Sequence, residues 1–353
     1  MKTTRAVKVG GTIVGGGFPV SVQTMWKEPL GSGAEARAAA VSRIEGLAGL
    51  GCDILRFAVP DLAAAEALGA LAAEAPMPLV ADIHFDWRIA LRCLDFPVAK
   101  IRVNPGNIGA SWKVAEVVAK ARDKGVPIRI GVNGGSLPEG LRDRPDRAAA
   151  IVEAAEREVA AFEELGFGEV IVSMKSSDVA ETMEVNRRFA ARHDYPLHLG
   201  VTEAGPLVQG VARNAAALAP LLAEGIGGTI RVSLSDSMEN EVIAGREILA
   251  CAGLAREGIN LVSCPRCGRA SFDTHAFTAR WAPRLYALGI PATIAVMGCV
   301  VNGPGEARHA DLGITGAGDK VVIFRKGEIA RTIRPEEADT VFEEELSRLR
   351  AGD

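Results

Sequence analysis

Three cysteines and a glutamate form the stretch of this sequence best equipped for chemistry. They lie in SCPRCG (263–268) and MGCVVNGPGE (297–306). Cys264 and Cys267, in C-x-x-C spacing, can close on one metal centre, and Cys299 can add a third thiolate. No fourth cysteine lies nearby, where a zinc ribbon or a plant-type ferredoxin would place one. Asn302, Gly303, Pro304 and Gly305 form instead a loop that offers backbone N–H groups and delivers the Glu306 carboxylate. Three soft ligands and one hard one point to an iron–sulfur cluster with one iron held less firmly, and so open to chemistry. Structural zinc on Cys264, Cys267, Cys299 and His309 is the competing reading.

A second set of polar residues falls on short β-branched runs. Residues two apart on a strand share a face. That pairs Asp82 with His84, Arg102 with Asn104, Arg129 with Gly131 and Asn133, and Ser173 with Lys175. It also pairs His198 with Gly200 and Thr202, and Arg231 with Ser233; Arg56 lies inside a run and Glu203 follows one. The positions of opposite parity are largely Val, Ile or Leu, which suit the outer face of a barrel. Arg56, Arg102, Arg129, Lys175 and Arg231 then point inward with only Asp82 and Glu203 to oppose them. Each uncompensated buried charge costs several kcal/mol, against a whole-domain stability of only ~5–15 kcal/mol. The surplus cations must therefore meet water or an anion, and arginine clusters suit phosphate.

The elements that would carry these residues alternate. Strand candidates are 21–25, 54–59, 79–84, 100–104, 127–133, 170–175, 197–202 and 229–234, with Ala-rich helical stretches between them, several ending at Gly (Gly51, Gly125, Gly166). Eight βα units within about 230 residues predict a (β/α)8 barrel, with an open doubly wound sheet as the alternative. Residues 8–20 predict a hairpin around a Gly-rich turn; Gly15 to Gly17 lack the Lys-Ser/Thr of a phosphate loop. Composition shifts near residue 255, so the expected domains are 1–254, the barrel, and 255–353, a small α+β unit. In the second, strand 260–264, helix 274–288, strand 291–298, hairpin 320–332 and a charged C-terminal helix frame the cysteines. Trp26, Trp87 and Trp112 follow strand ends; Cys52, Cys93 and Cys251 read as buried thiols.

Bulk properties narrow the function classes. The chain has 353 residues, 48% hydrophobic and 24% charged, which is ordinary for a globular protein. A net charge of −4 argues against general nucleic-acid binding. No run of about 18 apolar residues suggests a membrane span, and MKTTRAVKVGG has no apolar secretory core. Few cysteines in a long chain suit a reducing cytoplasm, where thiolates stay free for metal.

The motifs LVADIHFDWRIAL (79–91), KIRVNPGNIG (100–109), IGVNGGSL (130–137), LHLGVTEAG (197–205), TIRVSL (229–234), SCPRCGR (263–269) and MGCVVNGPGEA (297–307) resemble, in order and over essentially the whole chain, the 4-hydroxy-3-methylbut-2-enyl diphosphate synthase family. The resemblance implies a TIM barrel joined to a domain that holds a 4Fe–4S cluster on Cys264, Cys267, Cys299 and Glu306. The implied reaction reductively opens 2-C-methyl-D-erythritol 2,4-cyclodiphosphate and releases water. Implied substrate contacts are Arg56, Asp82, His84, Arg102, Arg129, Asn133, Lys175, Arg231, Ser233 and Asn302, with Glu203 or Glu306 supplying the proton. A homodimer, in which one subunit's cluster domain caps the other's barrel, and a flavodoxin or ferredoxin donor are implied as well. The segment MWKEPLGSG (25–33) departs from the family's Thr/Asn-rich run, as do Gly134 and Ser176 in smaller ways. A non-redox phosphosugar or pterin-type transferase with a structural zinc is the alternative in another class, and a zinc-bearing interaction protein without chemistry is a third.

Overall fold

The computed structural model describes residues 3–254 and 258–351. The chain forms two compact units, residues 1–255 and 256–353. The linker expected near residue 255 lies outside the described residues.

The first unit is the expected barrel. Its parallel strands are β3 (Ser21–Met25), β4 (Ile54–Ala58), β5 (Leu79–Asp82), β6 (Lys100–Val103), β7 (Ile128–Asn133), β8 (Val170–Lys175), β9 (His198–Leu199) and β10 (Thr229–Ile230). They run in the order β8-β7-β6-β5-β4-β3-β10-β9, and a bridge from Val172 to Leu197 joins the two ends. Outward positions such as Leu55, Ala81, Ile101, Ile130 and Leu199 are buried under the surrounding helices. Many of those helices start at an aspartate that accepts a backbone N–H of the first turn, as at Asp61, Asp146 and Asp178.

The N-terminal hairpin, β1 (Ala6–Val9) and β2 (Thr12–Gly15), turns at Gly10–Gly11. Its Val7, Val9 and Val14 pack on Ile54, Val80 and Ile171, whose side chains enter the barrel below the polar set. The hairpin thus gives that polar set an apolar floor.

Two expected strands are shorter than their sequence suggests. The runs 197–202 and 229–234 pair regularly over two residues each. Beyond them helix side chains take up backbone donors that a longer ladder would use. Val201 N donates to Asn214 Oδ1 at 3.1 Å, and Leu234 N to Glu241 Oε1 at 2.9 Å.

The second unit holds a five-stranded sheet in chain order, β11 (Ile259–Ser263), β12 (Ala292–Met297), β13 (Leu312–Ala317), β14 (Lys320–Arg325) and β15 (Glu328–Ile333). The first three strands are parallel and the last two antiparallel. Phe277 and Trp281 of the helix Thr274–Tyr286 and Phe342 of the helix Ala338–Ala351 pack edge to face and stacked on one side of it. Strand β13 went unanticipated, and the expected GPGE loop is a short helix, Gly303–Ala307. Pro304 fits there because a proline at the start of a helix loses no intrahelical bond.

Candidate active site

Polar side chains fill the barrel above the hydrophobic floor. Asp82, at the end of β5, is fully buried. Its Oδ2 lies 3.1 Å from Arg56 Nη2 of β4, and its Oδ1 lies 3.2 Å from Arg102 Nη1 of β6. Burial alone would raise the Asp82 pKa, but Arg56 and Arg102 outweigh it and hold the carboxyl below its usual range. Arg102 Nη1 also donates to His84 Nε2 at 2.9 Å, which puts the imidazole proton on Nδ1, the nitrogen 3.8 Å from Asp82. Burial, with Arg102 and Arg56 adding to it, lowers the His84 pKa despite Asp82. His84 thus faces the mouth as a neutral, half-exposed donor.

Arg129 of β7 is completely buried, and its Nε has no hydrogen-bond partner. Burial, then Arg56 and Arg102, push its pKa down; a guanidinium keeps its proton at neutral pH all the same. For Arg56 burial does the same, to about 10. Lys175 of β8 is pushed well down by burial and then by Arg129, Arg231 and Arg56. Glycines make room for this crowd. A Cβ at Gly131 would meet Arg102 Nε at 2.9 Å, and one at Gly200 would meet Lys175 Nζ at 2.7 Å.

The remaining barrel candidates are less tightly bound to this group. Arg231 follows β10 and pairs with Glu241 (Nε–Oε2 3.3 Å). Asn133 ends β7, half-buried, and Ser233 is half-buried two residues beyond Arg231. Glu203, expected as an inward anion, is instead exposed on the loop after β9, because its φ of 51° turns the chain out of the strand. The second buried carboxylate is Glu241, which period-two reasoning passes over because it sits on a helix. The signal was present in another form, since Met238, Glu241, Val242, Gly245 and Ile248 follow helical spacing on one buried face. A sixth inward cation was also missed. Lys100 has the parity of Arg102 and is fully buried, with its Nζ 3.5 Å from Gln23 Oε1. Among the described residues of the barrel, the charge imbalance is therefore larger than the sequence suggests, with six inward basic side chains set against Asp82 and Glu241.

Trp26 is buried and stacks on Phe57 at 5.3 Å. Trp87 and Trp112 meet edge to face at 5.2 Å, with Trp112 exposed. Cys52 and Cys93 are buried, and burial pushes both thiols up to about 12, beyond any nucleophilic role. Cys251 is exposed, contrary to expectation, because it closes the helix Met238–Cys251.

In the second unit the candidate ligands gather at the C-terminal ends of parallel strands, where ligands of α/β sheets bind. Cys264 directly follows β11, and its N–H donates to Val296 O of β12 at 2.9 Å. Cys299 lies two residues past β12, and its carbonyl accepts from Thr315 Oγ1 of β13 and from Gly303 N, both at 3.1 Å. Gly303 is pressed on Thr315, leaving no space for a side chain. The short helix thus starts in contact with the Cys299 turn and carries Glu306 exposed on it; Asn302, before it, is exposed too. A Cβ at Gly298 would press on Ala270 Cβ at 3.1 Å and stand in ordinary contact, 3.6 Å, with Cys264 Sγ. Cys264 and Cys299 are half-buried and Cys267 is exposed. Among the described residues no three His, Cys, Asp or Glu side chains stand close enough together to hold a metal ion. Metal ligands deprotonate and close round their ion as it binds, so backbone placement is what the chain itself supplies. Cys264 and Cys299 lie at adjoining strand ends, Cys267 and Glu306 follow them in the chain, and three thiols with a carboxylate fit an iron–sulfur group in donor type.

Comparison with known proteins follows the same division. Residues 4–246 match the GcpE TIM-barrel domain, and residues 260–348 match the GcpE protein C-terminal domain. A Treponema pallidum protein named 4-hydroxy-3-methylbut-2-en-1-yl diphosphate synthase (flavodoxin) is 53% identical over 95% of this chain and 88% of its own length. Relatives of the same name in Treponema denticola (49%, covering 99% of each chain) and Geobacter sulfurreducens (48%, covering 94% of this chain and 93% of its own) are similar as well. Among solved structures, a dihydropteroate synthase from Xanthomonas albilineans has a TM-score of 0.51 at 16% identity, covering 70% of this chain and 97% of its own. That likeness concerns the barrel fold alone.

Proposed function

The chain belongs to the GcpE family, and on that premise we propose how its residues divide the work of reductive ring opening. The enzyme converts 2-C-methyl-D-erythritol 2,4-cyclodiphosphate to 4-hydroxy-3-methylbut-2-enyl diphosphate. The balance requires two electrons and one proton: a ring C–O bond to phosphate breaks, and a hydroxyl leaves as water.

One observation carries the assignment of the mouth: among the described residues of the barrel, five inward cations, with Lys100 below them, stand against two buried carboxylates, Asp82 and Glu241. A cyclic diphosphate supplies the missing negative charge. Arg56, Arg102, Arg129, Lys175 and Arg231 hold it, His84 donates from Nδ1, and Asn133 and Ser233 complete the polar contacts. When the ring opens, charge grows on the departing phosphate oxygen. Cations already fixed by Asp82 stabilise it without reorganising.

The family is that of the GcpE iron–sulfur enzyme, and we assign a 4Fe–4S cluster to Cys264, Cys267, Cys299 and Glu306. Such a cluster supplies electrons one at a time and a Lewis-acidic iron. Glu306, exposed on a short helix, would serve both as a ligand and as a group able to pass a proton to the departing hydroxyl; Glu203, exposed on the β9 loop, is the other proton donor. Flavodoxin-class donors, named for the relatives, suit this chain, with ferredoxin as the second class. We further assign a homodimer in a reducing cytoplasm. No helix among the described residues is long and apolar enough to cross a membrane.

Metal content tests the cluster. Protein purified without oxygen should be brown, carry about four irons per chain and bleach in air. Colourless protein with one zinc would contradict the assignment.

A further inference from the structure

We propose that Glu241 is the positioning residue of the barrel mouth, a single carboxylate that aims Arg231 at the substrate and, through Lys27, straps the segment after β3 to the segment after β10. The inference rests on the reading of Arg231 as a substrate contact.

Glu241 stands in the first turn of the helix Met238–Cys251, and its side chain is wholly buried. Donors surround it. Thr24 Oγ1 donates to Oε2 at 2.6 Å, Leu234 N donates to Oε1 at 2.9 Å, and Lys27 Nζ reaches Oε1 at 2.9 Å. Arg231 adds Nε to Oε2 and Nη2 to Oε1, both at 3.3 Å. A carboxylate has roughly four acceptor sites, so this one is saturated. Burial would raise its pKa, but Arg231, the Leu234 N–H, Thr24 and Lys27 together keep it below the usual range.

The pairing fixes the direction of the Arg231 fork. Its Nε and Nη2 are taken by Glu241, while Nη1 meets the thioether of Met25 at 3.5 Å. A thioether is a weak acceptor, so that edge gains by turning to a phosphate oxygen. Held from behind, Arg231 meets its ligand with little conformational entropy left to lose.

Lys27 lies in the segment that follows β3, MWKEPLGSG (25–33). Its ammonium donates to the Leu234 carbonyl at 2.9 Å and to the Asp236 carbonyl, besides Glu241. Three donors thus meet three acceptors that all follow β10 or lie on its helix. Lys27 and Arg231 thus share the Glu241 carboxylate.

Kinetics and ligand binding on the anaerobic holoenzyme test this. Glu241→Gln keeps the shape but turns an amide against a guanidinium. It should raise KM for the cyclodiphosphate about tenfold or more with kcat nearly unchanged, the signature of lost uniform binding. Glu241→Asp should recover part of the loss. Lys27→Met, which leaves the Arg231 pair in place, should raise KM by only roughly threefold. Titration of each variant with inorganic pyrophosphate should follow the same order. Wild-type KM and pyrophosphate affinity in Glu241→Gln would overturn the proposal, as would a fall in kcat alone. If that variant does not fold, Thr24→Val and Lys27→Met decide it, and wild-type values in both overturn it. Weakened pyrophosphate binding in a chain whose wild type ignores the cyclodiphosphate would uphold Glu241 and discard the substrate assignment instead.

Discussion

Gly131 is missing a side chain where Arg102 puts its guanidinium: a Cβ there would lie 2.9 Å from both Nε and Nη2. Arg102 in turn holds Asp82 and His84, so one absent methyl sets three groups of the mouth. Gly131→Ala should leave the fold in place, because the crowding falls on a side-chain end rather than on backbone. It should displace the guanidinium and raise KM for the cyclodiphosphate by about tenfold or more. Unchanged kinetics would show that Arg102 does not depend on this space.

Asp82 carries the opposite charge for Arg56 and Arg102. Asp82→Asn leaves two buried guanidiniums without it and should cost on the order of 3–5 kcal/mol of stability. A saturating polyphosphate should restore part of that loss. The pH dependence has a definite sign. The folded pKa is lowered, so the stability is fully present above the unfolded value of about 3.9 and is lost as pH falls below it. Urea midpoints of wild type and variant from pH 6 down to 3 should converge. A constant gap would contradict the pairing.

Below the arginines, Lys100 and His198 are buried without carboxylate partners among the described residues. Both ring nitrogens of His198 lack a hydrogen bond, as does Thr229 Oγ1. Burial, then Arg129 and Arg56, push the Lys100 pKa well down. Burial, then Lys175, Arg129 and Lys100, do the same to His198. A base with a lowered folded pKa destabilises the fold wherever the unfolded chain binds the proton. Lys100→Met should therefore raise stability at neutral pH, by on the order of 1–3 kcal/mol. His198→Gln should flatten the loss of stability that wild type shows below about pH 6.5. A less stable Lys100→Met would mean that the amine is well satisfied where it lies.

Glu306 is exposed on its short helix, so Glu306→Gln should fold as wild type does. We expect it to keep part of its iron and to lose most turnover, because an amide neither binds iron as a carboxylate does nor passes a proton at neutral pH. Iron content and rate, measured on the same preparation, check this. Wild-type turnover would remove both the ligand role and the proton role.

What the sequence disclosed depended on how local the cause was. Alternation is a property of a single strand, so the inward face of Asp82, Arg102, Arg129 and Lys175 is legible without any tertiary contact. Lys100 obeys the same alternation, but was overlooked beside Arg102. Glu203 and Glu241 changed places because the second is a helix residue whose burial depends on packing against β3 and β10. Strand β13, LGITGA, carries two glycines and little β-branched content, so its pairing is set by its neighbours in the sheet. Gly303–Ala307 read as loop from its glycines and proline, yet the contact of Gly303 with Thr315 needs that composition. The shortness of β9 and β10 was out of reach, since Asn214 and Glu241 come from helices later in the chain.

In the proposed function, the cation-lined mouth and the three-cysteine, one-glutamate site serve one two-electron ring opening. Anaerobic, iron-loaded protein should be mixed with the cyclodiphosphate and a counted amount of reduced flavodoxin, and the product quantified. One 4-hydroxy-3-methylbut-2-enyl diphosphate should form for every two electrons consumed, and none from Cys299→Ser. Full iron loading with the cyclodiphosphate left intact, or product formed without electrons being consumed, would contradict it.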